Sequence, residues 1–154
     1  MAMKLFISLA VCLLAGFIGS VFTARAIPTW YATLIKPSFN PPNWVFAPVW
    51  TILYILMGLA LYLVWRRGLA ASGVRLALIF FALQLALNIA WSFIFFNCHS
   101  PFYALLEIAA LWLSIMLTIG LFYQVSKPAA WLLMPYILWV SFASFLNYMV
   151  WRLN

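Results

Sequence analysis

Five apolar stretches, each close to 20 residues long, dominate this chain and leave it few ways to fold. A hydrocarbon layer about 30 Å thick is crossed by a helix of roughly 20 apolar residues, because only a helix satisfies its own backbone hydrogen bonds where there is no water. The stretches run from Leu5 to Ala24, Val45 to Trp65, Leu76 to Phe96, Phe102 to Gln124 and Ala130 to Trp151, and together they use most of the 154 residues. The expected fold is therefore an all-α integral membrane protein, a five-transmembrane-helix bundle forming a single domain over residues 1–154. One long structured loop, residues 25–44, joins helices one and two. The other connections are short, which predicts antiparallel packing of helix two on three, three on four and four on five.

Composition narrows the chemistry. With 69% hydrophobic and 6% charged residues, the chain has too little polar surface for a lone water-soluble globule. Glu107 is the single acidic residue against eight Lys and Arg, so paired carboxylates for acid–base or metal chemistry do not exist. The one histidine, His99, lies beside Cys98 in a short loop and completes no multidentate set, so no metal is expected. The net charge of +7 is scattered between apolar blocks, a pattern that suits anionic lipid headgroups and argues against nucleic acid. Cys12 lies about 18 Å below the outer end of helix one at 1.5 Å per residue, too far from Cys98 for a bridge.

Orientation follows from the cations. Lys4, Arg66, Arg67, Arg75 and Lys127 fall on one side and Arg25, Lys36 and Arg152 on the other, which places the N-terminus inside and the long loop outside. The expected location is the cell inner membrane, with an outer or organelle membrane as alternatives. The first stretch imitates a secretory signal, yet its length is that of a full span, so it is expected to stay as a helix.

The loop reads RAIPTWYATLIKPSFNPPNW, and its four prolines forbid a long helix. Its aromatic residues Trp30, Tyr31, Phe39 and Trp44 fit either of two roles, an aromatic belt at the headgroups or a lid over a cavity. Helical spacing favours the lid. Trp50, Tyr54 and Gly58 share a stripe on helix two, the glycine leaving space; Gln84, Asn88 and Trp91 share a face of helix three. On helix five, Tyr136, Trp139, Ala143 and Asn147 fall within an arc of about 80° at 100° per residue. Most of these polar residues lie in the half of the membrane beneath the loop. A flat, largely apolar ligand with a few polar edges suits such walls, porphyrins and sterols both qualifying, and Arg25 and Lys36 at the mouth would attract carboxylates. Gln84 and Asn88 have a plainer reading as hydrogen-bonded glue between helices.

Three further features are weighed. Glu107 is shallow, about 7 Å down, so it either reaches the interface or handles a ligand or proton. Ala82, Ala86 and Ala90 form a small-residue face for homodimerisation through helix three. Ala15 with Gly19, and Gly16 with Ser20, offer a rival dimer surface on helix one.

The segments WYATLIKPSFNPPNWVFAPVWTILYILMG, NIAWSFIFF and PYILWVSFASFLNYMVWRLN, in this order and spacing, resemble the TspO/MBR family of tryptophan-rich sensory and translocator proteins. The resemblance implies a five-helix, often dimeric membrane protein that binds porphyrins such as protoporphyrin IX and, in some members, cholesterol and benzodiazepine-type drugs. By motif position it assigns ligand contact to Tyr31, Trp50, Asn88, Trp139 and Ala143; the helical stripes add Tyr54, Trp91 and Asn147. It also implies a loose sterol pattern at Leu146, Tyr148 and Arg152, and no required cofactor. Some relatives degrade protoporphyrin in light, which would make Trp50 and Trp139 catalytic candidates. Three functions are therefore expected in competition: porphyrin binding with transport or sensing, photo-oxidative porphyrin degradation, and a regulatory membrane partner with no small-molecule ligand.

Overall fold

The structure, a computed structural model, describes residues 2–154. Its helices are α1 (Ala2–Ala26), α2 (Trp30–Thr33), α3 (Asn43–Trp65), α4 (Val74–Ser92), α5 (Pro101–Val125), α6 (Lys127–Leu132) and α7 (Met134–Leu153). No strand occurs among the described residues. Five spans are long and apolar enough to cross a membrane: α1, α3, α4 with its extension to Asn97, α5, and α6 together with α7.

Helix ends follow local chemistry. Pro42 holds an extended ψ of 145° and α3 begins directly after it. Pro101 and Pro128 sit in the first turns of α5 and α6, where a missing N–H costs nothing. Two departures from the expected spans appear. Helix three was expected to run as α-helix to Phe96, but its last turn, Phe93–Asn97, widens into a π-helix in which Cys98 N–H donates to Phe93 O at 3.0 Å, five residues back. Span five starts at Lys127 rather than Ala130 and breaks at Leu133, just before Pro135.

The packing order also differs from the hairpin expectation. α4 packs on α5, and α5 on α6 and α7, as antiparallel neighbours, but α3 and α4 touch little because α1 lies against both. The eight-residue connection from Arg66 to Gly73 is long enough to pass the end of α1, where Lys4 Nζ donates to Trp65 O at 3.3 Å. Gly58 explains the tight α1–α3 pairing: a Cβ there would lie 2.9 Å from the Leu9 Cα. This corrects the reading of Gly58 as cavity space. The core, with Met57, Phe81, Ile115, Phe122 and Tyr136, fills the half of the bundle away from the long loop, whereas α3 and α7 barely meet and α6 bridges them at that same end.

A lidded cavity as the candidate functional site

A cavity of about 370 Å³ opens in the half of the bundle beneath the loop, within the range of small-molecule sites, about 300–1,000 Å³. Tyr31, Trp50, Tyr54, Asn88, Trp91, Trp139, Ala143 and Asn147 all line it. Gln84 and Tyr136 do not; they are buried just beyond its floor.

The floor is a directional chain of hydrogen bonds. The Tyr54 hydroxyl donates to Asn88 Oδ1, Asn88 Nδ2 donates to the Tyr136 oxygen at 2.7 Å, and the Tyr136 hydroxyl donates to Gln84 Oε1 at 2.9 Å. Gln84 Nε2 then points at Met57 Sδ, 3.9 Å away. Gln84 is thus the glue of the plainer reading, and Asn88 both glues and faces the cavity. Higher up, Trp91 Nε1 donates to Asn147 Oδ1 at 3.0 Å and Asn147 Nδ2 donates to Pro101 O at 2.7 Å, so this indole and amide are held in place. Trp139 is different: its Nε1 is buried and has no partner among the described residues. A buried donor without an acceptor is costly.

Rings close the side between α3 and α7. Trp139 meets Phe46 and Trp50 edge to face, at 6.0 and 6.5 Å between centroids, and lies 5.6 Å from Phe142. Outside this wall lies a shallow apolar groove lined by Val49, Ile52, Leu138 and Phe142.

The loop is folded over the mouth. Tyr31 is buried and its hydroxyl donates to Asn40 Oδ1 at 3.2 Å, while Asn40 Nδ2 donates to Pro41 O. Burial pushes the Tyr31 phenol above its ordinary pKa, with the Asn40 bond opposing, so it stays neutral. Trp30 stacks on His99 at 4.5 Å and meets Phe95 edge to face, and Phe39 stacks on Phe145 of α7 at 5.4 Å. Of the four loop aromatics Tyr31 is buried and Trp30 half-buried, whereas Trp44, 74% exposed, and Phe39, 45% exposed, stand out as belt residues. Lys36 Nζ lies 4.7 Å over the Tyr31 ring and donates to Leu34 O, and Arg25 is exposed.

Several readings change. Leu146 is buried and lines the cavity, whereas Tyr148 and Arg152 are exposed, so the three residues of the sterol pattern do not form one surface. Ala15 and Gly19 are buried and Gly16 lies against the Tyr54 ring, so these small residues of helix one face the bundle, whereas Ser20 is exposed. Ala82 and Ala86 remain exposed. Glu107 does not reach solvent: both carboxylate oxygens are buried without a hydrogen-bond partner among the described residues. Cys12 is buried and Cys98 exposed, and both are free. Among the cavity residues that the stripes missed are Gly16, Gly19, Ser20 and Thr23 on α1, with Asn40, Phe46 and Phe95. The small residues of helix one were visible as a pattern and were attributed to a dimer.

The sequence pattern of the TspO/MBR family matches residues 8–152. The chain is 48% identical to the tryptophan-rich protein TspO of Chlorobaculum tepidum over 152 residues, covering 99% of this chain and 96% of that one. It is 43% identical to the human translocator protein over 92% of this chain and 84% of that one. A tryptophan-rich sensory protein of Cereibacter sphaeroides is 42% identical over 81% and 77% of the two chains. Five apolar spans, a matching pattern over nearly the whole length and relatives of this similarity lead to one conclusion: the chain is a multi-pass membrane protein that belongs to the TspO/MBR family.

Proposed function

We propose that this protein binds a flat, mostly apolar tetrapyrrole of the protoporphyrin IX class in the lidded cavity, and that binding serves transport or sensing. The observation that carries the reading is the wall itself, in which Trp50, Trp91 and Trp139 line a largely apolar cavity together with the amides of Asn88 and Asn147. Sterols and benzodiazepine-type molecules share the required flatness and are secondary ligands. A homodimer through Ala82, Ala86 and Ala90 and an inner-membrane location with the N-terminus inside belong to the same reading. The names of two relatives, translocator protein and tryptophan-rich sensory protein, agree with transport and sensing. Titration of the protein in lipid nanodiscs with protoporphyrin IX is expected to quench tryptophan fluorescence saturably at low micromolar ligand. Quenching unchanged by Trp139→Phe combined with Asn88→Ala overturns the assignment of this cavity, and no saturable quenching at all favours a regulatory partner without a ligand.

The Trp50–Trp139 contact favours a second reading, light-dependent oxidation of bound protoporphyrin by dioxygen, because two electron-rich indoles meet at the cavity wall. Product formation under light and oxygen should fall with Trp50→Phe and Trp139→Phe. An unchanged rate leaves these indoles as binding groups only.

A further inference from the structure

We infer that ligands reach this cavity sideways from the bilayer, through a slot between the outer halves of α1 and α3, while the loop stays closed; the inference rests on the cavity reading above. α1 and α3 meet at their inner halves, where Gly58 lies against Leu9, yet higher up the cavity is lined by residues of both helices that are also exposed. These are Leu13 and Ser20 on α1 and Ala47 and Thr51 on α3. The pair stays in contact up to Gly16, where the Tyr54 ring lies, and above that level Ser20 of α1 and Ala47 and Thr51 of α3 are exposed and line the cavity.

The chemistry of the slot suits hydrocarbon. The hydroxyls of Ser20, Thr23 and Thr51 each donate to a backbone carbonyl of their own helix, Phe17 O at 2.7 Å, Gly19 O at 3.1 Å and Ala47 O at 2.8 Å. No hydroxyl proton is left for lipid to strand, and the Tyr54 ring, packed against Gly16, forms the lower edge of the slot. The opposite side of the cavity contrasts with this, since Phe46, Trp50, Trp139 and Phe142 pack ring against ring there. The top is held by Tyr31–Asn40, by Phe39 on Phe145 and by Asn154 on Ile35. A flat apolar molecule dissolved in the membrane therefore meets one side that is neither ring-packed nor pinned.

The test uses the full chain in nanodiscs with Cys98→Ser, the buried Cys12 being left in place. Ser20→Cys with Ala47→Cys, joined by a short bifunctional methanethiosulfonate, tethers the slot; Phe39→Cys with Phe145→Cys tethers the loop to α7. Release of protoporphyrin IX is followed by recovery of tryptophan fluorescence. Tethering the slot is expected to slow release at least tenfold, with full recovery on reduction of the same sample, and tethering the loop to change it less than twofold. Unchanged release with the slot tethered, or equal slowing by the loop tether, overturns the route. If protoporphyrin does not bind at all, the tetrapyrrole reading fails and the slot is judged without ligand, in vesicles of dibromostearoyl phosphatidylcholine. Brominated chains should then quench a component that Trp50→Phe removes and that the slot tether protects; absence of that component overturns the slot.

Discussion

Asn154 holds Ile35 by both its main-chain groups: the Ile35 N–H donates to Asn154 Oδ1 and Asn154 Nδ2 donates to Ile35 O, each at 2.9 Å. The same Nδ2 also donates to Val150 O at 2.8 Å, so the amide is oriented by α7 before it meets the loop. Two neutral hydrogen bonds at roughly 0.5–1.5 kcal/mol each contribute about 1–3 kcal/mol in total, and their exposed position puts them toward the lower end. Asn154→Ala should therefore raise hydrogen exchange at residues 34–40 about five- to tenfold while leaving the melting temperature of the bundle nearly unchanged. Exchange equal to wild type means that the aromatic stacks alone hold the loop.

The second expectation concerns the cavity floor. Tyr136 is almost wholly buried and its hydroxyl accepts from Asn88 and donates to Gln84, so Tyr136→Phe leaves two buried amides short of a partner. Side-chain hydrogen bonds in membranes average about 0.6 kcal/mol, and an unsatisfied buried group adds about 1–3 kcal/mol. A loss of about 1–3 kcal/mol is expected in detergent unfolding, against under about 0.5 kcal/mol for the exposed Tyr148→Phe. Equal effects would show that the chain of bonds holds nothing.

Two glycines give an internal control for helix packing. An added methyl at Gly58 meets the Leu9 backbone at 2.9 Å, whereas one at Gly120 meets nothing within 4 Å. Gly58→Ala should destabilise by about 1–3 kcal/mol through overpacking. Leu9→Ala should not rescue it, because the clash is with main chain. Gly120→Ala should stabilise by up to about 1 kcal/mol through helix propensity. A neutral Gly58→Ala would mean that α1 shifts freely along α3.

The exposed Ala82 and Ala86 predict the fourth result. Ala86→Leu should abolish crosslinked dimer in native membranes without changing monomer stability, since the added side chain faces away from the bundle. An undiminished dimer band places the contact on another face.

Much of the architecture was legible along the chain because membrane helices are dictated by length and apolarity, which are local properties. Periodicity placed Trp50, Asn88, Trp139 and Asn147 on inward stripes for the same reason. It failed at Gly58 and on helix one, where a small residue reads alike whether it faces a partner helix, a cavity or a second subunit. It failed also for Glu107, whose surroundings depend on what packs beside it. The π turn at Phe93–Asn97 has no periodic signature, since one extra residue in a single turn leaves the rest of the pattern intact.

Sequence alone determined five spans, an aromatic, proline-rich connection and the family to which the chain belongs, because each is written in runs of neighbouring residues. Only the tertiary structure decided that α1 lies against both α3 and α4, that Tyr31 is buried while Phe39 and Trp44 stay exposed, and that the small residues of α1 line the cavity. Those outcomes depend on which small side chain meets which backbone across helices far apart in the chain, and no local pattern encodes that encounter.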